Sequence, residues 1–160
     1  MIAVSAAVPG DALAMAGLLE EMDRIYGATD IESADDRVRQ ITEAVFASPP
    51  VAWALVAGDG AALAGIAAYS FLWPAVGLTR SLYLKELYVA ERYRRQGVAR
   101  LLMQTLFEVA AKHGCSRVEW TTDTSNAGAQ AFNEKVGMDA YPTKVFYRVG
   151  ATGTGYAVLS

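Results

Sequence analysis

The chain has 160 residues, the size of one ordinary domain, and 53% of them are hydrophobic, which is enough for a sizeable core. A net charge of -3 argues against general nucleic-acid binding, and no stretch is long and apolar enough to cross a membrane. The single cysteine, Cys115, excludes an internal disulfide framework, and the start of the chain is a poor signal peptide, so we expect a cytoplasmic protein.

Two amphipathic helices are predicted in the first third of the chain. Residues 11–26 carry apolar side chains at helical spacing, with Asp11 as a candidate N-cap. Residues 35–47 repeat that spacing, and the Ser-Pro-Pro sequence at 48–50 ends the pattern because proline cannot continue a helix. We therefore expect a helix pair ahead of the first predicted strand.

The remaining predicted elements are mostly strands, with two helices between them. Residues 51–57 and 61–73 flank a Gly-Asp-Gly turn and read as an antiparallel hairpin. After them, in chain order, we predict a strand at 81–89, a helix at 97–113 followed by Gly114, a strand at 116–122, a helix at 126–136 and a strand at 144–149. The β-α-β unit in the middle implies a parallel strand pair.

The chain shows no internal repeat, no low-complexity tract and no long linker. Residues 1–160 are therefore predicted to form one domain. The Gly-rich residues 150–160 are expected to be a loosely ordered tail of that domain.

A basic turn stands directly before the predicted helix at 97–113. Residues 91–106 read ERYRRQGVARLLMQTL, so arginines flank a glycine at the start of that helix. The free N–H groups and positive dipole end of a helix N-terminus attract anions, and a glycine lets a ligand approach the backbone closely. The stretch has neither the Lys-Ser/Thr of a P-loop nor the three glycines of a dinucleotide fingerprint. The pattern indicates a site for a small anion, and a solvated helix start is the alternative.

Two segments resemble the conserved motifs of one enzyme superfamily. The stretch LYLKELYVAERYRRQGVARLLMQTLFEVAAKHGC resembles motif A of the GNAT superfamily of acyl-CoA N-acyltransferases, whose signature [RQ]-x-x-G-x-[GA] falls on residues 94–99. Residues 126–138 are similar to motif B, with matches at Asn126, Ala129, Phe132 and Gly137. The resemblance implies an α/β (α+β) GNAT fold: a twisted, mostly antiparallel mixed sheet with a splayed parallel strand pair and helices on both faces.

The resemblance also implies acetyl-CoA as cosubstrate, with no metal. The pyrophosphate of acetyl-CoA would lie on the N–H groups of about residues 96–100, and its pantetheine arm would run along the strand backbone at residues 87–89. The carbonyl of the acetyl group would lie near the N–H of Val89. Motif B would line the other side of the arm. The implied cofactor-binding residues are Leu87, Tyr88, Val89, Arg94, Arg95, Gln96, Gly97, Val98, Ala99, Arg100, Asn126 and Phe132.

Direct attack on a thioester needs a neutral amine, so a base must remove a proton from the acceptor. Glu86 is the first candidate because it lies on the central strand just before the acetyl end. The alternative for Glu86 is a structural ion pair. Lys85 and Glu86 are strand neighbours, and we predict that they point to opposite faces, so that only one addresses a given site. Two acidic residues occupy this pair in the diamine acetyltransferases, which this strand also resembles, and Lys85 disfavours a polyamine acceptor.

The usual general acid of the family is a tyrosine of motif B, and Asn133 stands at that position here. An amide is no acid at neutral pH, but Asn133 is predicted to donate a hydrogen bond to the leaving sulfur. Another tyrosine can replace the missing acid, and Tyr141 is our choice ahead of Tyr83 and Tyr147. A third interpretation, besides the hydrogen bond from Asn133 and a substitute tyrosine, is that the enzyme has low activity.

By the same resemblance, residues 22–36 and 72–80 shape the acceptor pocket. Acidic side chains in the first segment favour a cationic amine, whereas nearby arginines and a lysine suit a carboxylate. The predicted substrate-binding residues are Tyr26, Lys85, Trp120 and Asp123. We expect a small amine or amino-acid-like acceptor, no nucleic-acid or membrane partner, and a homodimer as a candidate assembly. The alternatives are a protein or peptide N-acetyltransferase and a non-catalytic acyl-CoA sensor.

Overall fold

The computed structural model describes residues 1–150, in which a helix pair precedes three consecutive strands and a β-α-β unit follows. The strands are β1 (Ala3–Ala6), β2 (Trp53–Asp59), β3 (Ala62–Leu72), β4 (Ser81–Val89) and β5 (Arg117–Trp120). The helices are α1 (Ala12–Ile25), α2 (Ala34–Val45), α3 (Val98–Lys112) and α4 (Ala127–Lys135). Short 3-10 turns span Pro9–Asp11 and Glu91–Tyr93. The chain divides into one compact unit over Met1–Thr121 and a second that begins at Thr122.

The first unit is built on one five-stranded sheet in the order β1-β2-β3-β4-β5. Strands β1 to β4 pair antiparallel, and β4 pairs with β5 in parallel. Strand β4 feeds α3, which leads back to β5, as expected of a β-α-β crossover. The predicted fold class, a mostly antiparallel mixed sheet with a parallel pair, is confirmed.

Both faces of the sheet are covered by helices. Met15 and Leu18 of α1 pack in one core cluster with Ile66 of β3 and its neighbours. The adjacent strand residue, Gly65, faces Leu102 of α3 instead, because successive strand residues point to opposite faces. Helices α1 and α3 therefore bury opposite sides of the sheet.

Gly65 is the point of closest approach between β3 and α3. A Cβ built there would lie 3.0 Å from Leu102 Cδ1 and 3.0 Å from the carbonyl oxygen of Tyr88. Because that carbonyl belongs to the sheet backbone, it cannot move aside, and we expect Gly65→Ala to lower the free energy of unfolding by about 1–3 kcal/mol. Chemical denaturation measures this change.

Gly58→Ala is the matched control for Gly65→Ala. It lies on the neighbouring strand, and an added Cβ would meet its nearest atom, the Ala3 carbonyl oxygen, at 3.9 Å, which is ordinary contact. We expect this variant to stay within about 1 kcal/mol of the wild type. An equal decrease in the free energy of unfolding in both variants would contradict the close packing of α3 on β3.

Two local predictions differ from the structure, and one strand was not predicted. The predicted strand at 144–149 is wrong, because these residues are neither helix nor strand and pair with no other described segment. Its alternating apolar pattern is present, but a strand also needs a partner. Strand β1 was not predicted, since it has only four residues, two of them alanines. Asp11 does not cap α1 through its side chain, which instead accepts the N–H of Val8 at 2.8 Å.

The ends of two predicted helices are confirmed by glycines with positive φ. Gly114 follows α3 with φ 66°, and Gly137 follows α4 with φ 81°. The single-domain organisation stays a prediction, and the predicted tail, beyond Gly150, lies outside the described residues.

Candidate functional site

Strand β4 is irregular in its middle. Glu86 lies opposite Ala68 and Leu84 lies opposite Tyr69, so that Lys85 has no partner on β3 and forms a β-bulge. A bulge bends its strand and increases the local twist. The parallel pairing with β5 ends at the same place, since its last pair joins Leu84 to Trp120.

Beyond the bulge, β4 continues without β5. Within the described chain, no β5 residue pairs with residues 85–89. That half of β4 therefore offers backbone N–H and C=O groups along one edge, as an edge strand does. The side chain of Arg94 folds toward this edge, with its Nε donating to the Val89 carbonyl at 3.4 Å and its guanidinium 5.9 Å from the Tyr88 ring centre. The partial pairing is what a splayed strand pair requires, and the edge suits a ligand with amide groups.

The bulge changes how Lys85 and Glu86 relate to each other. Glu86 is half-buried and lies on the α1 face of the sheet, because it follows the same alternation as Tyr88. Lys85 is exposed, yet its positive charge lowers the pKa of Glu86. Because regular alternation fails at a bulge, the opposite orientation of these two neighbours, and with it the expectation that only one of them addresses a given site, stays a prediction.

Burial raises the pKa of the Glu86 carboxyl above its ordinary value of 4.5, Lys85 lowers it, and Asp23 of α1 raises it again. A carboxyl with a raised pKa is better matched to proton abstraction near neutral pH. Glu86 makes no salt bridge within the described residues. This argues against the structural ion pair that the sequence left open.

The connection into α3 has the geometry of an anion cradle. Gly97 is the N-cap of α3 with φ 79°, and Arg95 also has a positive φ of 60°. In the described part of the chain, no backbone N–H from residue 95 to residue 100 has a hydrogen-bond partner. A Cβ built on Gly97 would meet nothing within 4 Å, so the space in front of this turn is open. Free N–H groups beside guanidinium groups are the donor set that phosphates need.

The arginines of this turn have different surroundings. Arg92 lies 4.9 Å from the Tyr93 ring centre, and its carbonyl accepts from the Gln96 side chain at 3.1 Å. Arg95 and Arg100 are exposed and have no hydrogen-bond partner among the described residues. These two side chains are therefore the ones free to meet an anion, while Val98 is buried and anchors the first turn of α3.

The acidic segment near the end of α1 is partly neutralised by an arginine that the sequence analysis missed. Arg37 of α2, whose side chain is 11% exposed, pairs with Asp23 at 2.9 Å and with Glu32 at 3.0 Å. Asp36 meets Arg39 at 3.4 Å. A helical charge pattern could have suggested the Asp36 pair, but Arg37 and Asp23 are 14 residues apart, and their pair needs the two helices to be packed. The acidic residues therefore carry less free negative charge than their number suggests.

Besides Lys85, two predicted substrate-binding residues lie in the first unit. Tyr26 is exposed at the end of α1, and Trp120 is half-buried at the end of β5. Hydrogen bonds tie down the predicted acceptor loop: Thr79 Oγ1 donates to Ser116 Oγ at 2.6 Å, and Trp73 Nε1 donates to the Leu78 carbonyl at 2.8 Å.

The second unit holds the motif B residues. Asn126 caps α4 by accepting the Ala129 N–H at 3.0 Å, so its carbonyl oxygen already has a partner. The amide of Asn133 donates to Thr122 Oγ1 at 3.1 Å. Hydrogen bonds from Ser125 lower the pKa of Asp123. Phe132 is half-buried and Tyr141 is exposed. The functional roles of all five stay predictions.

The described residues hold no group of three or more His, Cys, Asp or Glu side chains placed to bind a metal ion. None of their helices is long and apolar enough to span a membrane.

Comparisons with known proteins agree on one family. The sequence profile of the Acetyltransferase (GNAT) family matches residues 15–138. Aminoglycoside N(6')-acetyltransferase type 1 of Serratia marcescens is 38% identical over 66 residues, which are 41% of this chain and 45% of that protein. D-amino-acid N-acetyltransferase HPA3 of Saccharomyces cerevisiae is 41% identical over 68 residues (42% and 40%), and N-alpha-acetyltransferase 30 of Schizosaccharomyces pombe is 32% identical over 78 residues (49% and 51%). The chain spans about half or less of each of these relatives.

Solved structures show the same architecture over nearly the whole chain. An integron cassette protein of V. cholerae superposes with a TM-score of 0.89 at 25% identity, covering 99% of this chain and 98% of its own. An aminoglycoside N-acetyltransferase, AAC(6')-Iy, solved in complex with CoA, superposes with a TM-score of 0.75 at 17% identity, covering 93% and 95%.

Proposed function

Because the chain belongs to the GNAT family of acetyltransferases, we propose that it transfers the acetyl group of acetyl-CoA to a primary amine of a small molecule. One observation carries this proposal. The free edge of β4 beyond the bulge ends only a few residues before the run of unpartnered N–H groups at the start of α3. An edge for amide groups and a cradle for phosphates thus follow each other along one short stretch of chain.

The donor set of this stretch fits acetyl-CoA, which supplies an activated thioester when bound. In our proposal the backbone N–H groups of about residues 96–100 and the side chains of Arg95 and Arg100 hold the phosphates. The backbone of residues 87–89 bonds the amides of the pantetheine arm, as a neighbouring strand would. The N–H near Val89 stabilises the negative charge that develops on the carbonyl oxygen during attack.

Glu86 acts as the base in this proposal. Its carboxylate takes a proton from the ammonium group of the acceptor, directly or through water, and the neutral amine then attacks. The new bond joins nitrogen to the acetyl carbon, and the bond to sulfur breaks. The attacking nitrogen releases its second proton as the bond to sulfur breaks, and the leaving thiolate takes up one proton, either from that nitrogen or from a donor nearby. The products are the N-acetylated acceptor, the thiol of CoA and the proton held by Glu86.

In our proposal the side chain at position 133 lies near the leaving thiolate, and its chemistry decides whether the thiolate receives a proton from this position. We expect Asn133→Tyr to raise kcat about tenfold, below the ~10²–10⁴ of a well-placed acid, because a tyrosine placed there has no surroundings adapted to it. Steady-state thiol release at saturating substrates measures the change. The variant also loses the hydrogen bond to Thr122, so its free energy of unfolding should fall by about 1 kcal/mol.

Asn133→Ala is the control for this substitution. It removes the same amide without adding an acid, so its kcat should be at or below that of the wild type. A tyrosine variant with the same kcat as the alanine variant would contradict a role of this position in leaving-group protonation, and would leave Tyr141 as the candidate.

The acceptor class rests on the names of the relatives and on the charges near α1. The names of two relatives contain an aminoglycoside and a D-amino acid, and the third is named an N-alpha-acetyltransferase. We therefore test both small molecules and peptides as acceptors. We propose the small-molecule class, because Arg37 neutralises part of the acidic segment and so suits an acceptor that also carries a carboxylate.

One experiment tests the proposed function. The protein is incubated with acetyl-CoA and a panel of amines, amino acids and peptides, and free thiol is measured. Turnover with a small amine supports the proposal. Turnover with peptides alone favours the protein N-acetyltransferase, and acetyl-CoA binding without turnover favours the acyl-CoA sensor. Absence of any thermal shift with acetyl-CoA would contradict all three.

A further inference from the structure

The connection between β4 and α3 must keep its position relative to β4. The proposed function, on which this inference rests, places one ligand against both, so a shift of one would misalign the ligand on the other. The connection consists of the 3-10 turn Glu91–Tyr93 and residues 94–97, and most of it is exposed. The N–H groups of Tyr93 and Arg94 bond within the turn, and Arg94 Nε reaches the Val89 carbonyl at 3.4 Å. Residues 95–97 have no backbone hydrogen bond from their N–H groups within the described chain, so the exposed connection gains from a further anchor.

Glu21 of α1 joins the end of β4 to this connection through one oxygen atom. The phenol of Tyr88 donates to Glu21 Oε1 at 2.8 Å, and the N–H of Glu91 donates to the same oxygen at 2.9 Å. Tyr88 is buried in the core beneath α1, whereas Glu91 begins the 3-10 turn, and the preceding residue, Ala90, provides no side-chain cap. The carboxylate thus caps the turn and ties it to a fixed point of the sheet.

The phenol of Tyr88 stays a hydrogen-bond donor over the physiological pH range. Burial, and after it the bond to Glu21, raise the pKa of Tyr88 to about 12, so the phenol keeps its proton and continues to donate. A carboxylate is also a strong acceptor, because hydrogen bonds to a charged group are stronger than hydrogen bonds between neutral groups.

A second carboxylate holds the far end of the turn. Asp59 at the end of β2 accepts the phenol of Tyr93 at 3.0 Å and lies 3.5 Å from the N-terminal ammonium group. This contact fixes the turn to the β2–β3 hairpin but does not involve β4. Glu21 therefore differs from Asp59, because it bonds both a residue of β4, Tyr88, and a residue of the connection, Glu91.

We propose that Glu21 is a positioning residue for the cofactor: it fixes the connection that carries the anion cradle relative to β4, and it raises the affinity for acetyl-CoA without touching it. The physical reason is preorganisation, since a loop already held in its binding conformation loses less entropy when the ligand binds.

Glu21→Ala, Glu21→Gln and a control test this role. By calorimetry, we expect Glu21→Ala to raise the Kd of acetyl-CoA about tenfold, with kcat at saturation and the KM of the acceptor within about twofold of the wild type. Glu21→Gln keeps an oxygen that accepts both donors, so its Kd should stay within about threefold. The control, Glu20→Ala, removes the neighbouring carboxylate, which pairs with Arg24 at 2.8 Å on the exposed face of α1, and should leave the Kd unchanged.

Hydrogen exchange on the ligand-free protein gives a readout that does not depend on activity. We expect the amides of residues 91–97 to exchange faster in Glu21→Ala than in the wild type, and at wild-type rates in Glu20→Ala. Unchanged exchange in Glu21→Ala overturns the proposal, as does an unchanged Kd in a protein whose wild type binds acetyl-CoA. A lower Tm with unchanged Kd would show a merely structural role and overturns it as well.

The two proposals fail in different ways. If the wild type binds no acetyl-CoA, the proposed function is wrong, and the affinity claim for Glu21 falls with it. If the wild type binds acetyl-CoA and the Glu21 variants bind it equally well, only the positioning role is wrong. Should Glu21→Ala fail to fold, Tyr88→Phe removes one of the two hydrogen bonds, and an unchanged exchange rate at residues 91–97 in that variant overturns the proposal.

Discussion

We expect the Gly97→Glu variant to lose acetyl-CoA binding while remaining folded. The added carboxylate would enter the open space in front of the unpartnered N–H groups, where the phosphates are proposed to bind. Two like charges about 4 Å apart near a protein surface repel by about 4 kcal/mol, which corresponds to about a thousandfold in affinity. Calorimetry with acetyl-CoA measures the loss, and circular dichroism confirms that the variant is folded.

Two further glycine variants separate charge from backbone strain. Gly97→Ala retains the open cradle, and we expect only the cost of a left-handed residue, about 1–2 kcal/mol of stability, from its φ of 79°. Gly114→Glu places the same side chain at the other end of α3, where φ is 66° and a Cβ also meets nothing within 4 Å. It should bind acetyl-CoA with wild-type affinity. If Gly97→Glu bound as tightly as Gly114→Glu, the cradle would not be the phosphate site.

The second large effect is expected at Glu86. The Glu86→Gln variant replaces this carboxyl by an amide of the same shape and so removes the proposed base. We expect kcat to fall about 100-fold, at the low end of what acid–base catalysis contributes. The Kd of acetyl-CoA should change by less than about twofold, because the backbone groups of β4 are untouched. Glu108→Gln, an exposed carboxyl on α3, serves as the control and should retain full activity.

The pH dependence adds an independent check on Glu86. Burial raises its pKa above 4.5, so the folded state holds this proton more tightly than the unfolded state does. The contribution of Glu86 to stability is therefore fully present below pH 4.5 and falls as pH rises through the raised folded pKa. We expect Glu86→Gln to gain stability relative to the wild type over that interval, and to lose the acidic limb of the profile of kcat/KM. Unchanged turnover in Glu86→Gln would remove Glu86 as the base.

Long amphipathic segments were predictable from the sequence because their spacing is set by local geometry. The strand predicted at 81–89 is β4, and the helix predicted at 97–113 is α3, Val98–Lys112. Segments 51–57 and 61–73 became β2 and β3, shifted by one or two residues. The strand predicted at 144–149 failed despite a clear pattern, since pairing depends on a partner elsewhere in the chain.

The sequence alone determined the family and the character of the anion cradle. The glycine with positive φ, the arginines around it and the helix start lie within a few consecutive residues, and local chemistry decides them. The tertiary structure alone decided the bulge at Lys85, the two ion pairs of Arg37 that unite α1, α2 and their loop, and the contact between Glu21 and Tyr88. Glu21 and Tyr88 are 67 residues apart in the chain, and no local pattern encodes such a pair. It forms only when packing brings α1 onto the sheet, because a hydrogen bond requires two groups to meet, whereas a periodic pattern describes one segment at a time.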